Sequence, residues 1–248
     1  MTRTILVTGG AKRLGAAIVR RLAADAHRVV IHYGRSGEAA AALAAEVGAV
    51  GTVAGDLASP DAIGDLWSRA CEVAGRPVDG LVNSASQFAF DRPEAFDTVL
   101  AARLYAVNCT APVLLAGCLA RQGGGVVVNL LDQKLANPNP DFFSYTLSKA
   151  ALAEATTLTA QAFAPAVRVN AVAPGLTLPS GDQSAAEFAD AGVQNLLRRP
   201  VGAAAVADGV AYLVRAESVT GQTLYVDCGQ RFVRRDGDVM FEGRAARG

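Results

Sequence analysis

Residues 3–15 read RTILVTGGAKRLG. A β-type run, Arg3 to Thr8, meets a pair of glycines, two cations and a third glycine. Helical periodicity then takes over near 14–25. A strand that turns on glycines into a helix is how a dinucleotide-binding α/β fold opens. The glycines allow a tight turn and a close approach to a pyrophosphate, and the helix N-terminus attracts its charge. The spacing is TGxxxxxG rather than GxGxxG, and Arg13 stands where a middle glycine often would. Gly9, Leu14 and Gly15 belong to this expected phosphate turn, and Lys12 and Arg13 add cations to it. An ordinary glycine-rich strand-to-helix turn would read the same in isolation.

The rest of the chain repeats that rhythm. Strands are predicted at 28–33, 50–54, 79–83, 125–131, 167–172 and 222–226, besides 3–8. Helices are predicted near 37–47, 60–74, 95–121, 143–163 and 203–214, besides 14–25. The strands are almost continuously apolar, as parallel strands covered on both faces are. This predicts one α/β domain over residues 1–248, a doubly wound Rossmann fold with a seven-stranded parallel sheet. Two segments fall outside the rhythm. One is 173–202, a Pro-, Gly- and Ser-containing substrate loop with a short helix near 184–198. The other is a charged tail, 230–248. Long loops at the carboxyl edge of such sheets often serve as lids.

Composition narrows the functional classes. Of 248 residues, 51% are apolar, and 23 basic side chains balance 23 acidic ones. That balance argues against nucleic acid or an anionic membrane as the main partner. No apolar run of membrane-spanning length is expected. The N-terminus enters a strand directly, without a secretory pattern, so a cytoplasmic protein is expected. Cys71, Cys109, Cys118 and Cys228 have neither metal nor CxxC spacing, and are read as reduced thiols. With only His27 and His32, a histidine metal site or a Ser-His-Asp triad is disfavoured.

The second strand ends in His32-Tyr33-Gly34-Arg35-Ser36. An NAD site would place an acid here for the ribose hydroxyls. Between Gly15 and Glu38 the sole acid is Asp25, inside the preceding helix. Arg35 and Ser36 instead suit a 2′-phosphate, one by its donor fork and one by its hydroxyl. The expectation is NADP(H) over NAD(H), with a solvated turn as the alternative. Asp56-Leu57 follows the third strand, where an adenine would rest. Asn83-Ser84-Ala85-Ser86 follows the fourth, at the sheet centre. Either could be a simple turn.

The chemistry lies in residues 126–152, VVVNLLDQKLANPNPDFFSYTLSKAAL. Tyr145 and Lys149 are four apart and share a helix face. A nearby ammonium favours the phenolate, so Lys149 is expected to lower the Tyr145 pKa towards the useful range for a general acid. Asp132 ends a buried strand. A carboxylate suits a developing oxyanion poorly, but can accept a hydrogen bond from a ring N–H, an amino group or Tyr145. Burial would raise its pKa and Lys149 would lower it. A cap on the following loop is the plainer role. Phe88 reads either as core or as a stacking surface. Phe142 and Phe143 read either as core or as pocket wall.

Taken in order, TGGAKRLG, NSAS in place of NNAG, Asn108, Tyr145-xxx-Lys149 and Pro174-Gly175 resemble the short-chain dehydrogenase/reductase family over nearly the whole chain. That family carries a Ser thirteen residues before its catalytic Tyr, and here that position is Asp132. This substitution, with the HYGRS turn and Phe88, resembles the pteridine reductase branch, which includes short-chain-type dihydromonapterin and dihydrofolate reductases. The resemblance implies NADPH-dependent reduction of a pterin C=N bond. It implies Asp132, Tyr145, Lys149 and Asn108 as the catalytic set, with Lys149 on the nicotinamide ribose and Asn108 supporting Lys149. It implies Arg13, Ser86 and Phe88 at the pterin. It further implies cofactor contacts from Tyr33, Asn83, Ser84, Ala85, Pro174 and Gly175. The family pairs the helices 95–121 and 143–163 between subunits, which implies a homotetramer. Their apolar faces could equally serve the chain's own core. A carbonyl reductase, or a silent NADPH-binding regulator, are the alternative functions.

Overall fold

The structure is a computed structural model that describes residues 2–179 and 183–241. Seven parallel strands form one sheet: β1 (Thr4–Thr8), β2 (Arg28–Tyr33), β3 (Gly51–Ala54), β4 (Gly80–Asn83), β5 (Gly125–Leu130), β6 (Val167–Pro174) and β7 (Thr223–Val226). Their order is β3-β2-β1-β4-β5-β6-β7. The helices are α1 (Arg13–Ala24), α2 (Gly37–Val47), α3 (Ile63–Ala74), α4 (Thr98–Tyr105), α5 (Ala111–Arg121), α6 (Phe143–Phe163), α7 (Ala185–Gly192) and α8 (Ala203–Arg215). The expected Rossmann fold is the observed one.

Alternate side chains of each strand enter different cores, because successive Cβ atoms point to opposite faces. Ile5, Val7, Val29, Ile31, Val126 and Val128 pack on the side that carries α1 and α8. Leu6, Val30, Leu81 and Val127 pack on the side that carries α3 and α5. Burial on both faces is why β1, β2, β4 and β5 are mostly apolar, while β6 opens with the alternation Val167-Arg168-Val169-Asn170. The chain reverses direction across the sheet between β1 and β4, which lie side by side with Thr8 opposite Asn83. Loops leaving the carboxyl ends of such neighbours splay apart and open a crevice there.

Several boundaries differ from expectation. β6 runs on to Pro174, pairing it with Val226 of β7, so residues 173 and 174 leave the predicted loop. The short helix is only Ala185–Gly192, begun by a Ser184–Glu187 capping box. The helix predicted over 95–121 starts at Thr98, where the Asp97 carboxylate accepts from the Val99 and Leu100 N–H groups. A π segment, Ala106–Thr110, interrupts it. The helical run Thr98–Arg121 is long and apolar enough by length and composition to cross a membrane, contrary to the sequence expectation. In this fold α5 packs against α6, β4 and β5, with Leu104, Leu115 and Leu119 fully buried. Ser180, Gly181 and Asp182 of the expected substrate loop, and residues 242–248 of the tail, lie outside the described residues.

Candidate active site

The β1 turn is shaped by contact. Gly9 has φ +61°, and a Cβ there would lie 2.8 Å from Ala85 Cα. A Cβ on Gly15 would lie 2.2 Å from the Gly9 carbonyl oxygen. Arg13 itself has φ 53°, the left-handed conformation that a middle glycine would take without cost. The turn is also pinned from β2. The Gly9 N–H donates to His32 Nδ1 at 3.1 Å, and His32 Nε2 lies 3.2 Å from the Gly55 carbonyl oxygen. A neutral ring protonated on Nε2 satisfies both bonds. Burial lowers the His32 pKa to about 4, so the ring stays neutral. Sequence reading passed over His32, since nothing in the strand pattern marks it.

The residues of this turn fit a dinucleotide phosphate. Lys12 precedes α1 and its side chain makes no cap hydrogen bond, so the first-turn N–H groups stay available to an anion. Arg35 is exposed and has no hydrogen bond or ion pair among the described residues. Ser36 sits at the start of α2 without a side-chain cap bond, and Tyr33 lies against Gly37 at the end of β2. The buried Ser84 hydroxyl has no partner among the described residues. Three of the expected contact residues also have structural partners. Leu57 is buried in the core, Asp56 Oδ1 accepts from the Ala58 N–H at 3.0 Å, and the Asn83 amide donates to Asn129 at 2.8 Å inside the sheet. Proximity to the expected adenine site in sequence did not reveal which way these side chains point.

Beyond β4 and β5 lies a cavity of about 520 Å³. It brings together Arg13, Leu14, Ser84, Ser86, Phe88, Asp132, Tyr145, Lys149, Pro174 and Gly175, which the sequence had proposed from five separate segments. Leu176, Gln230, Asp238 and Val239 also line it. The Arg13 guanidinium donates to the Pro179 carbonyl at 2.5 Å, tying the first turn to the loop after β6. Gly175 is required by packing, since a Cβ would lie 2.9 Å from the Asp227 Cα.

Helix α6 delivers the Tyr-Lys pair. Its N-terminus is capped from a distant loop: Asp91, buried, accepts from the Ser144 N–H at 3.0 Å and from the Ser144 hydroxyl. The Tyr145 hydroxyl donates to Asp132 Oδ2 at 2.9 Å, and Asp132 Oδ1 accepts from the Lys134 N–H at 2.9 Å. The Asp132 carboxylate therefore both caps the turn Gln133–Ala136 and receives the phenol. Lys149 Nζ donates to the Leu130 carbonyl at 2.7 Å and lies 5.8 Å from the Tyr145 ring centroid.

The electrostatics correct one expectation. Burial, then the Asp132 carboxylate, raises the Tyr145 pKa well above the ordinary phenol value. Lys149 was expected to lower it. Its ammonium instead serves a carbonyl, and burial lowers its own pKa to about 8. Burial pushes the Asp132 carboxyl up, against the opposing hydrogen bonds from Lys134 and Tyr145. The expected link from Asn108 to Lys149 is not a direct one. Asn108, in the π segment, accepts from the Gln87 N–H at 2.8 Å and donates to the Gln87 carbonyl at 2.9 Å. It also donates to Ser148 Oγ at 3.0 Å and accepts from Ser86 Oγ at 3.2 Å. It clamps the loop that carries Ser86 and Phe88 onto α6.

Phe88 is at the cavity, 44% exposed. Its ring stacks on Phe142 at 4.1 Å and meets Tyr145 edge-on at 4.7 Å. Phe142 is buried, with φ 54°, and Phe143 meets Phe96 edge-on. All four cysteines are free, and the described residues contain no cluster of three or more potential metal ligands.

A doubly wound sheet, a glycine-built phosphate turn at its crevice and a Tyr-Lys pair beside the turn define an NAD(P)-dependent oxidoreductase. The short chain dehydrogenase model matches residues 3–190, and the chain belongs to that family. Among solved structures it is similar to FolM alternative dihydrofolate reductase 1 from Brucella suis in complex with NADP. The identity is 39%, the TM-score 0.89, and the match covers 94% of this chain and 96% of that one. Among relatives it is 34% identical to a protein of Streptomyces violaceoruber described as "Granaticin polyketide synthase putative ketoacyl reductase 2", covering 90% of this chain and 94% of that one. It is 30% identical to pteridine reductase 1 of Leishmania tarentolae, covering 92% and 96%.

Proposed function

We propose that the protein is an NADPH-dependent reductase of a C=N bond in a pterin. The observation that carries this reading is the hydrogen bond from Tyr145 to Asp132. A carbonyl reductase needs neutral donors around an oxygen that gains negative charge, and a carboxylate there would oppose it. A ring nitrogen that must end with a proton suits an acid pair. Similarity to pteridine reductase 1 and to the Brucella protein supports the same substrate class.

When bound, NADPH supplies a hydride to the ring carbon. Arg35 and Ser36 receive the 2′-phosphate, and the turn Gly9–Gly15, with Lys12 and Arg13, receives the pyrophosphate. Lys149 would hold the nicotinamide ribose, and Ser84, Pro174 and Gly175, which line the same cavity, would receive the nicotinamide. Phe88 presents a ring face to the pterin, while Ser86 and Arg13 contact its edge. Tyr145, with Asp132, holds the proton that goes to the adjacent nitrogen, so the C=N bond becomes CH–NH. The reading also takes the enzyme to be cytoplasmic and homotetrameric. Exposed apolar side chains on α4 and α6, Val99, Tyr105, Leu147 and Leu158, support pairing of those helices.

The test is cofactor oxidation by the purified enzyme with dihydrobiopterin or dihydromonapterin, set against a panel of ketones and acyl thioesters. Turnover of the pterins with NADPH, and at least about tenfold less with NADH, is expected. Activity on ketones alone would replace the pterin reading with the carbonyl one.

A further inference from the structure

Lys134 is a buried cation, 5% exposed, in the turn that follows Asp132. Its backbone N–H holds Asp132 Oδ1. Its ammonium donates to the Asp141 carbonyl at 2.6 Å and to Asp238 Oδ2 at 3.3 Å, and lies 5.4 Å from the Phe142 ring centroid. One residue thus connects two carboxylates that line the same cavity.

Asp238 arrives from the far end of the chain, and its place is fixed by several contacts. Its N–H donates to Asp141 Oδ2 at 2.8 Å, and Asp141 is paired with Arg92 at 2.9 Å. Phe241 stacks parallel on Phe142, centroids 5.8 Å apart, and meets Phe90 edge-on. The tail therefore closes one end of the substrate cavity. The wall it completes is rich in hydrogen-bond acceptors. Asp132 and Asp238 both line it, and so does Gln133, whose buried Oε1 has no partner among the described residues. A carbonyl group offers no donor to such a wall. The aminopyrimidine edge of a pterin offers an N–H and an NH2. Asp132 is committed to the reacting phenol, and Asp238, which receives Lys134 at Oδ2, is the second carboxylate on that wall.

We propose that Asp238 is a specificity residue whose carboxylate accepts a hydrogen bond from the amino group on the pyrimidine ring of the substrate. The assignment rests on the pterin reading above. Burial raises both Asp132 and Tyr145, and the negative charge of Asp238 adds to each, so the three groups share one site.

The test is equilibrium binding of two probes to the NADP+-loaded full-length enzyme, so that turnover is not required. One probe is 2,4-diaminopteridine; the other is lumazine, which carries oxygen where the first carries amino groups. In Asp238→Asn an acceptor edge becomes partly a donor, while the remaining oxygen can still receive Lys134. Diaminopteridine should bind at least about tenfold more weakly, about 1.4 kcal/mol. Lumazine and NADP+ should stay within about twofold. Unchanged diaminopteridine affinity in the variant overturns the assignment and leaves the pterin reading standing. Equal losses for both probes overturn it too, because a purely structural partner of Lys134 predicts that result. Asp238→Ser is the second variant. If both variants melt early and lose NADP+ affinity, Asp238 is structural and the assignment fails. If the wild-type enzyme binds neither probe, the pterin reading fails and takes this assignment with it.

Discussion

Tyr145 keeps its proton because the phenol is buried and faces a carboxylate, and both conditions penalise a second negative charge. Its effective donor form is therefore the pair it makes with Asp132, and each variant should reveal half of that pair. Tyr145→Phe removes the hydroxyl and should lower kcat by more than about tenfold, with NADPH affinity little changed. Asp132→Ser restores the neutral donor of a carbonyl reductase. It should cut pterin turnover by about tenfold or more and leave NADPH binding nearly intact. Steady-state kinetics with separate cofactor titration checks both, and undiminished pterin turnover in Asp132→Ser would reduce Asp132 to a cap for the turn after β5. The thirteen-residue interval between these two side chains was legible. The hydrogen bond between them was not, because it requires α6 to fold back over the end of β5. The sign of the Tyr145 shift was misread for the same reason: spacing shows that Lys149 is near, but not that its ammonium is engaged by the Leu130 carbonyl.

Elements are held in register here by side chains that no local pattern marks. The β1 turn leans on His32 of β2, and α6 begins on a cap supplied by Asp91. The His32 contact has a measurable cost in acid. Burial lowers its pKa from 6.5 to about 4, with the Gly55 carbonyl opposing and Arg69 assisting. The unfolded chain takes up this proton near 6.5 and the native protein only near 4. Between those values the unfolded state binds more protons, so stability falls as pH drops through that window. The contribution is up to about 3 kcal/mol, and below the folded pKa it changes no further. Denaturant unfolding at about pH 7 and about pH 4 measures most of it. The variant His32→Gln should lose this part of the pH dependence, and an unchanged slope would assign the acid sensitivity elsewhere. The π segment at Asn108 belongs to the same scale. Its sequence reads as ordinary helix, yet the extra residue per turn lets Asn108 reach Gln87 and Ser148 together.

As a whole molecule, the protein is a sheet with helices on both sides and a crevice at its carboxyl edge, which Gln230, Asp238 and Val239 line from the far end of the chain. The exposed apolar faces of α4 and α6 give the assembly prediction. In solution, light scattering should report a mass four times the 25.5 kDa of the chain. Val99→Lys with Leu147→Lys should shift it to smaller species by desolvating charge at the contact. A wild-type monomer at micromolar concentration would end the tetramer reading. By itself the sequence determined the class of fold, because parallel strands buried on both faces are written as mostly apolar runs. It also determined the phosphate turn and the Tyr-Lys pair, since both are local in spacing. Tertiary structure alone decided what surrounds that pair: the neutral His32 behind the turn, the clamp made by Asn108, and Lys134 holding Asp132 on one side and Asp238 on the other. Those contacts join residues far apart in the chain. Sequence spacing carries no information about which of them meet, because burial in a shared site depends on how the elements pack.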